Sequence, residues 1–408
     1  MRDNAMRTVT HDTPISAAPI AGVAETTPAW RWLAVGWCTA FLVGIDLFVV
    51  APLLPAIGTE LGLPPASLAV LVTAFGIAYA VTCPLVGLAA ERAGARRVLC
   101  LGVAALGLAN LYTAFAPDLP QLVASRWLAG MAAASTTPML YALAAERAHP
   151  SRRAVSLALV NSGLVLALVG GAPLGLLWGG VSGWRGVLAA LGVLFLLSLP
   201  LQLATWRGAQ RGAPAARVPC PEFWRHAPAI LACTALWSAS VYASYTLLAT
   251  AVQHEFGWGT TPVAIALAAF GIGATAGGLA GGRLADRWGA RRFVRHTLAA
   301  MCACFALAAL LYGVDGPGAL ACSLLLVALA SYGFFPALQA HASAVLPARR
   351  KTILGFMSSA LYVGIAGGAS AGAAVYSAAG FRTVLLASAG CALLALLLAS
   401  RLSRPLDQ

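Results

Sequence analysis

Long apolar blocks of about 20 residues, separated by short polar breaks, run through almost the whole chain. They fall near 31–56, 67–88, 97–116, 121–145, 154–178 and 185–205, and again near 226–251, 262–284, 293–313, 317–345, 352–379 and 383–402. A helix rises ~1.5 Å per residue, so roughly 20 apolar residues cross the ~30 Å hydrocarbon core of a bilayer. The pattern predicts an all-α polytopic membrane protein with 12 transmembrane helices in two sets of six. The expected organisation is a tail over 1–30, a six-helix bundle over 31–205, a linker over 206–225, a second bundle over 226–402 and a tail over 403–408. Residues 1–30 carry Pro14, Pro19 and Pro28 and lack the apolar core and cleavage site of a signal peptide, so they are expected to be disordered.

Composition supports this reading. Hydrophobic residues make up 60% of the 408, charged residues 10%, and mean hydropathy is +0.83, whereas soluble domains carry about 25% charged residues. Nine cysteines could suggest a disulfide framework. However, Cys38, Cys83, Cys100, Cys233, Cys302, Cys304, Cys322 and Cys391 fall in or beside apolar blocks, leaving only Cys220 in a loop. They are expected to be packing thiols, and no Cys or His has zinc-ligand spacing, so no metal and no cofactor is expected.

The formal charge of +13 would suit nucleic acid if it were clustered. It alternates by loop instead. The N-terminal tail, the even-numbered loops and the C-terminus hold 3, 3, 3, 4, 5, 3 and 2 Lys or Arg, while the six odd-numbered loops hold only Arg185 and Arg382. By the positive-inside rule both termini are expected in the cytoplasm and the chain in the inner (plasma) membrane, with the lipid bilayer rather than nucleic acid as its partner. Trp30, Trp32, Trp178, Trp184, Trp206, Trp224, Trp258 and Trp288 sit near block ends, as an aromatic belt requires.

An internal repeat divides the chain. GLAAERAGARR at 87–97 matches GRLADRWGARR at 282–292 in seven of eleven positions, at an offset of 195. GGAPLG at 170–175 answers GGASAG at 367–372, and Gly-Trp-Arg at 183–185 answers Gly-Phe-Arg at 380–382, both at an offset of 197. Two parallel repeats place a binding site between halves near the membrane midplane.

Two charges stand inside apolar blocks. Asp46 is the only acid not in a loop, a tail or a block end, and Arg126 is the only arginine so placed. An ionised group at membrane depth costs ~2.5 to 3.5 kcal/mol, which makes it a functional candidate in need of a partner. Counting from the block ends puts Asp46 roughly 22 Å and Arg126 roughly 18 Å from the cytoplasmic edge, so the two can meet. A carboxylate that an arginine can approach or abandon changes its hold on a proton, which ties a proton gradient to a conformational cycle. A buried pair that only aligns helices is the alternative.

The whole chain resembles the major facilitator superfamily, within it the bacterial drug:proton antiporter branch. The superfamily hallmark Gly-x-x-x-Asp-Arg-x-Gly-Arg-Arg is matched by Gly87, Glu91, Arg92, Gly94 and Arg96, with Glu91 for Asp and Ala95 for a basic residue. The second copy at Gly282, Asp286, Arg287, Gly289 and Arg291 keeps the Asp. The resemblance implies that these loops latch the cytoplasmic side in the outward-open state; topology anchoring with a tight turn is the alternative. Arg126 and Gly130 in Arg-Trp-Leu-Ala-Gly resemble the arginine motif of proton-coupled members. Gly171, Pro173 and Gly175 resemble the Gly-Pro motif of antiporters, and Ser370 shows that this kink is not duplicated. Helix packing alone would also explain those small residues. In the cavity of this fold the substrate-facing candidates are Asn161, Trp237, Tyr242, Tyr245, Tyr332, Phe335, Gln339 and Tyr362, each of which could equally be core or lipid-facing. His341, near a block end, has packing or capping as its plain role.

The sole lysine is Lys351, after Arg349 and Arg350, so no phosphate-binding Gly-Lys loop exists and ATP is not a partner. A retinal Schiff base is disfavoured by the same count. Gly271, Gly273 and Ala276 loosely imitate a dinucleotide fingerprint but lie in an apolar block. No enzyme signature is present. The expectation is a monomeric secondary transporter whose partners are protons and a small-molecule substrate, hydrophobic or weakly basic, which it exports by antiport. Uptake by symport or uniport, or a transporter-like sensor that moves nothing, are the alternatives.

Overall fold

The computed structural model describes residues 29–149, 152–207, 221–313, 317–346 and 349–402. Most of the expected tails and linker, with Cys220, fall outside these residues; the other eight cysteines are free. The helices are α1 (Ala29–Leu61), α2 (Val70–Ala93), α3 (Ala95–Phe115), α4 (Leu119–Arg147), α5 (Arg153–Leu166), α6 (Ala172–Thr205), α7 (Pro221–Phe256), α8 (Thr260–Trp288), α9 (Ala290–Leu311), α10 (Pro317–Tyr332), α11 (Phe334–Val345) and α12 (Arg350–Ala399). No strand occurs among the described residues.

The helices do not map one to one onto the apolar blocks. A π turn, Ala167–Gly171, joins α5 to α6, and α10 continues into α11 across Gly333. Among the described residues, ten helical stretches are long and apolar enough to cross a membrane; two of them are double length. Each of these folds at a glycine, Gly183 in α6 (φ 73°) and Gly380 in α12 (φ 75°). Only glycine takes such left-handed backbone without strain. The fold is consistent with twelve crossings in two six-helix bundles.

Gly-Trp-Arg at 183–185 and Gly-Phe-Arg at 380–382 form matching turns. After Gly183, Arg185 Nε donates to Glu60 Oε1 at 2.7 Å and its Nη1 donates to the carbonyls of Ala114 and Ala116, each at 2.8 Å. Trp184 Nε1 donates to the other Glu60 oxygen at 2.6 Å. After Gly380, Arg382 Nε donates to Ala309 O at 2.9 Å, while Glu255 accepts from the Phe381 N–H and the Tyr312 hydroxyl. The turn from the fifth to the sixth crossing of each half is thus tied to the ends of that half's first and third.

The halves meet away from the end where α1 starts and α12 finishes. Thr73 on α2 bonds Ser370 Oγ at 2.7 Å and donates to Ala366 O at 3.3 Å on α12, and Tyr245 on α7 donates to Phe48 O on α1 at 3.1 Å. On α8, a Cβ at Gly271 would sit 2.5 Å from Val169 Cα and 2.6 Å from Leu168 O of the π turn, so backbone meets backbone there. That contact gives the Gly271 region a packing role and removes its likeness to a nucleotide site. All of these contacts lie between mid-helix and the far end.

Candidate functional site

Asp46 projects from α1 and Arg126 from α4 into one buried spot. Arg126 Nη1 lies 3.1 Å from Asp46 Oδ1, and the side chains are 2% and 0% exposed. Depth counting along two helices finds this pair correctly. Neither group is saturated: Asp46 Oδ2 and Arg126 Nε are buried without a hydrogen-bond partner. One turn after the arginine, Gly130 rests on the backbone carbonyl of Phe75, where any Cβ would collide. This close approach of α4 to α2 sets the Arg126 guanidinium 4.7 Å from the centroid of the Phe75 ring, a cation–π contact out of water.

The glycines expected to form an antiporter-type kink pack against the helix that carries Asp46. A Cβ at Gly171 would stand 2.6 Å from Ile45 Cγ1, and one at Gly175 would stand 2.5 Å from Val49 Cγ2. Pro173 has no N–H to give the preceding turn, and the π turn Ala167–Gly171 forms at that point. The same turn therefore touches α1 beside Asp46 on one side and Gly271 of the opposite half on the other.

From Phe75 an aromatic chain crosses the boundary between halves. Tyr79, one turn along α2, stacks on Tyr362 of α12 with centroids 3.5 Å apart, and Phe75 itself is 6.2 Å from Tyr362. On the C-terminal side, Trp237 stacks on Phe335 at 5.6 Å and Phe334 at 5.4 Å, meets Tyr332 edge-on at 6.1 Å, and donates its Nε1–H to Ser331 O. Tyr242 packs on Tyr245, which continues to Phe270 and Phe48. Phe270 also meets Tyr332 at 5.9 Å, so five of the eight cavity candidates, Trp237, Tyr242, Tyr245, Tyr332 and Phe335, belong to one aromatic system, while Tyr362 belongs to a separate cluster with Phe75 and Tyr79. Asn161 instead accepts from the Tyr141 hydroxyl at 2.8 Å, and Gln339, half-buried, enters none of these contacts. Sequence reasoning missed Phe75, Tyr79, Phe48, Phe270 and Tyr141. The four-residue spacing of Phe75 and Tyr79, which puts both on one helix face, was the available signal.

The loop motifs bind within their own halves. Arg96 Nη2 donates to Leu203 O at 2.7 Å at the end of α6, and Arg291 Nη2 reaches Ser400 O at 3.4 Å at the end of α12. Gly94 and Gly289 form the turns, with φ of 89° and 81°. Gly87 and Gly282 have nothing within 4 Å of a built Cβ, while Arg92, Asp286 and Arg287 are exposed. The side chain of Glu91 lies outside the described residues. No group of three or more potential metal ligands occurs among the described residues.

The Major Facilitator Superfamily model matches residues 36–334 and 230–407. The chain belongs to this superfamily. It is a multi-pass membrane protein. Among superfamily relatives, a chloramphenicol resistance protein of Streptomyces lividans is 33% identical over 266 residues, 62% of this chain and 66% of that protein. An inner membrane transport protein of Escherichia coli (strain K12) is 29% identical over 265 residues, 62% of this chain and 65% of its own length. The matches span just under two thirds of these relatives. A bacterial homolog of the human lysosomal transporter Spinster, in an inward-facing and occupied conformation, superposes with a TM-score of 0.72 at 17% identity, covering 93% of this chain and 98% of that one. The E. coli xylose transporter gives 0.70 at 15% identity, covering 93% and 99%. These likenesses concern the major facilitator fold alone.

Proposed function

We propose that this protein is a proton-coupled antiporter of the inner membrane, with both termini in the cytoplasm, that exports a small hydrophobic or weakly basic aromatic compound by alternating access. The observation that carries the reading is the buried, half-satisfied pair of Asp46 and Arg126. A fully bonded pair would be a sound structural bolt. One with an empty carboxylate oxygen has a place for a proton, and protonation there gives up the ion pair and leaves Arg126 a buried cation driven to seek another partner.

Release is transmitted along a short path. Arg126 lies on Phe75, Phe75 touches Tyr362, and Tyr362 stacks on Tyr79 across the boundary between halves. The π turn beside Asp46 offers a second path to the opposite half through Gly271. Protonation thus bears on the contacts that hold the far side shut. The cross-half bonds of Thr73 and Tyr245 near that side support reading this arrangement as the state open toward the cytoplasm. Arg96 and Arg291, each bound within its own half, and the exposed Arg92 and Arg287 agree with a cytoplasmic latch that is undone here.

The aromatic system supports the substrate class. Tyr, Trp and Phe rings face a flat apolar molecule well, and the one carboxylate at this depth is taken by Arg126, so a multiply charged cargo finds no counter-ion. Chloramphenicol, to which the Streptomyces relative is named as a resistance protein, is the first compound to test. Expression in an efflux-deficient host is expected to raise tolerance to it or to another aromatic compound of a panel, and a protonophore is expected to abolish the gain. If every compound leaves wild type and Asp46→Asn cells alike at matched membrane levels, export through this site is refuted.

A further inference from the structure

The C-terminal half carries a cavity at the terminus-side end that the proposed cycle does not use. Arg225 and His226 from the first turns of α7, His341 and Val345 from α11, and Arg401 and Leu402 beyond α12 line it. Every titratable group of that lining is basic. His341 is only 2% exposed, and its Nε2 is buried with no hydrogen-bond partner. Beside it Arg291 has a buried, unpartnered Nε, and its long bond to Ser400 O sits next to Arg401. Arg96 Nε, the counterpart of Arg291 Nε in the other half, is likewise buried and unpartnered, so what distinguishes this corner is the gathering of basic side chains around the unpartnered His341 Nε2, a setting that suits an anion.

The other half shows that the fold does not need this arrangement. In the corresponding corner, where α1 starts and α6 ends, Trp32 and Trp206 pack with centroids 6.4 Å apart, and Trp206 donates to Gln202 at 2.7 Å. The residue 195 positions before His341 is Glu146. One half is plugged by tryptophan; the other keeps a small basic pocket.

We propose that this corner binds a phosphate-type oxyanion, with Arg225 and Arg401 at the mouth and His341 as an inner donor. Guanidinium groups and an imidazole N–H together suit a singly charged phosphodiester. The setting favours a lipid headgroup as the source. Ile230, Val345 and Leu402 give the cavity an apolar wall, and Trp224, 71% exposed beside Arg225, marks the depth at which headgroups lie.

The test is thermal unfolding of the full chain in detergent, titrated with phosphatidylglycerol, phosphatidylethanolamine or inorganic phosphate. Phosphatidylglycerol is expected to raise the midpoint at concentrations where phosphatidylethanolamine does not. In the Arg225→Gln/Arg401→Gln variant, whose exposed positions leave the lipid-free midpoint unchanged, the apparent affinity falls at least about tenfold. Arg152→Gln/Arg207→Gln, which removes the same charge from the N-terminal half, keeps the wild-type response. A shift produced equally by inorganic phosphate upholds the oxyanion site and assigns it a soluble ligand. The proposal is overturned if Arg225→Gln/Arg401→Gln responds to all three additions as wild type does, or if the N-terminal control loses the response equally.

Discussion

Tyr79 and Tyr362 stack with ring centroids 3.5 Å apart and planes inclined by 18°, one ring from each half of the protein. Gly76 supports the joint, since a Cβ there would meet Tyr362 O at 2.9 Å. In a cycle that rocks the halves apart on this side, the stack must break. An aromatic pair contributes about 0.5 to 1.5 kcal/mol beyond its buried area. Tyr362→Ala is therefore expected to shift the ratio of conformers about two- to tenfold toward the state open at the far end, read as spin-label distances across that end. An unchanged distance distribution would show that the stack does not hold the closure.

Removing one member of the buried ion pair strands the other. Arg126→Gln should lower unfolding stability in detergent by about 3 to 5 kcal/mol, and Asp46→Asn added to it should recover a large part. A double variant that loses the sum of the two single losses would mean that the two side chains do not interact.

The π turn transmits force only if backbone meets backbone at Gly271. Gly271→Ala places a methyl against Val169 Cα and Leu168 O, neither of which can turn aside, so turnover is expected to fall about tenfold or more. Gly282→Ala, with open space around its Cβ, should unfold within about 0.5 kcal/mol of wild type. Wild-type turnover in Gly271→Ala would break the second path.

The fastener around Glu60 predicts a stability loss confined to the N-terminal half. Arg185→Gln removes the Glu60 ion pair and loosens two carbonyl contacts, at a cost of about 1 to 3 kcal/mol. Hydrogen exchange should accelerate at the ends of α1 and α3 and not in the twin around Glu255. Acceleration in both halves would argue that the fasteners are not independent.

Much of this architecture is legible in the sequence because the bilayer imposes it. A span must be apolar for about 20 residues, and a charge inside one must be paired, so the crossings and the meeting of Asp46 with Arg126 follow from counting. What counting cannot reach is the choice of partners between helices. Nothing in the spacing of Tyr79 and Tyr362, 283 positions apart, says that their faces meet. Glu60, which the apolar blocks place in a loop, gives no sign of its partner, because Arg185 is brought to it by the turn at Gly183. His341 was placed near a helix end and proves to be buried in the basic corner.

Proton exchange at Asp46 is tested most directly in inverted membrane vesicles that hold an acid interior, using the compound to which expression gives tolerance. Wild-type vesicles should lose part of their pH gradient when the compound is added. Asp46→Asn vesicles should bind it with an affinity within about threefold of wild type and leave the gradient intact. A pH gradient that collapses equally in both would contradict Asp46 as the coupling group.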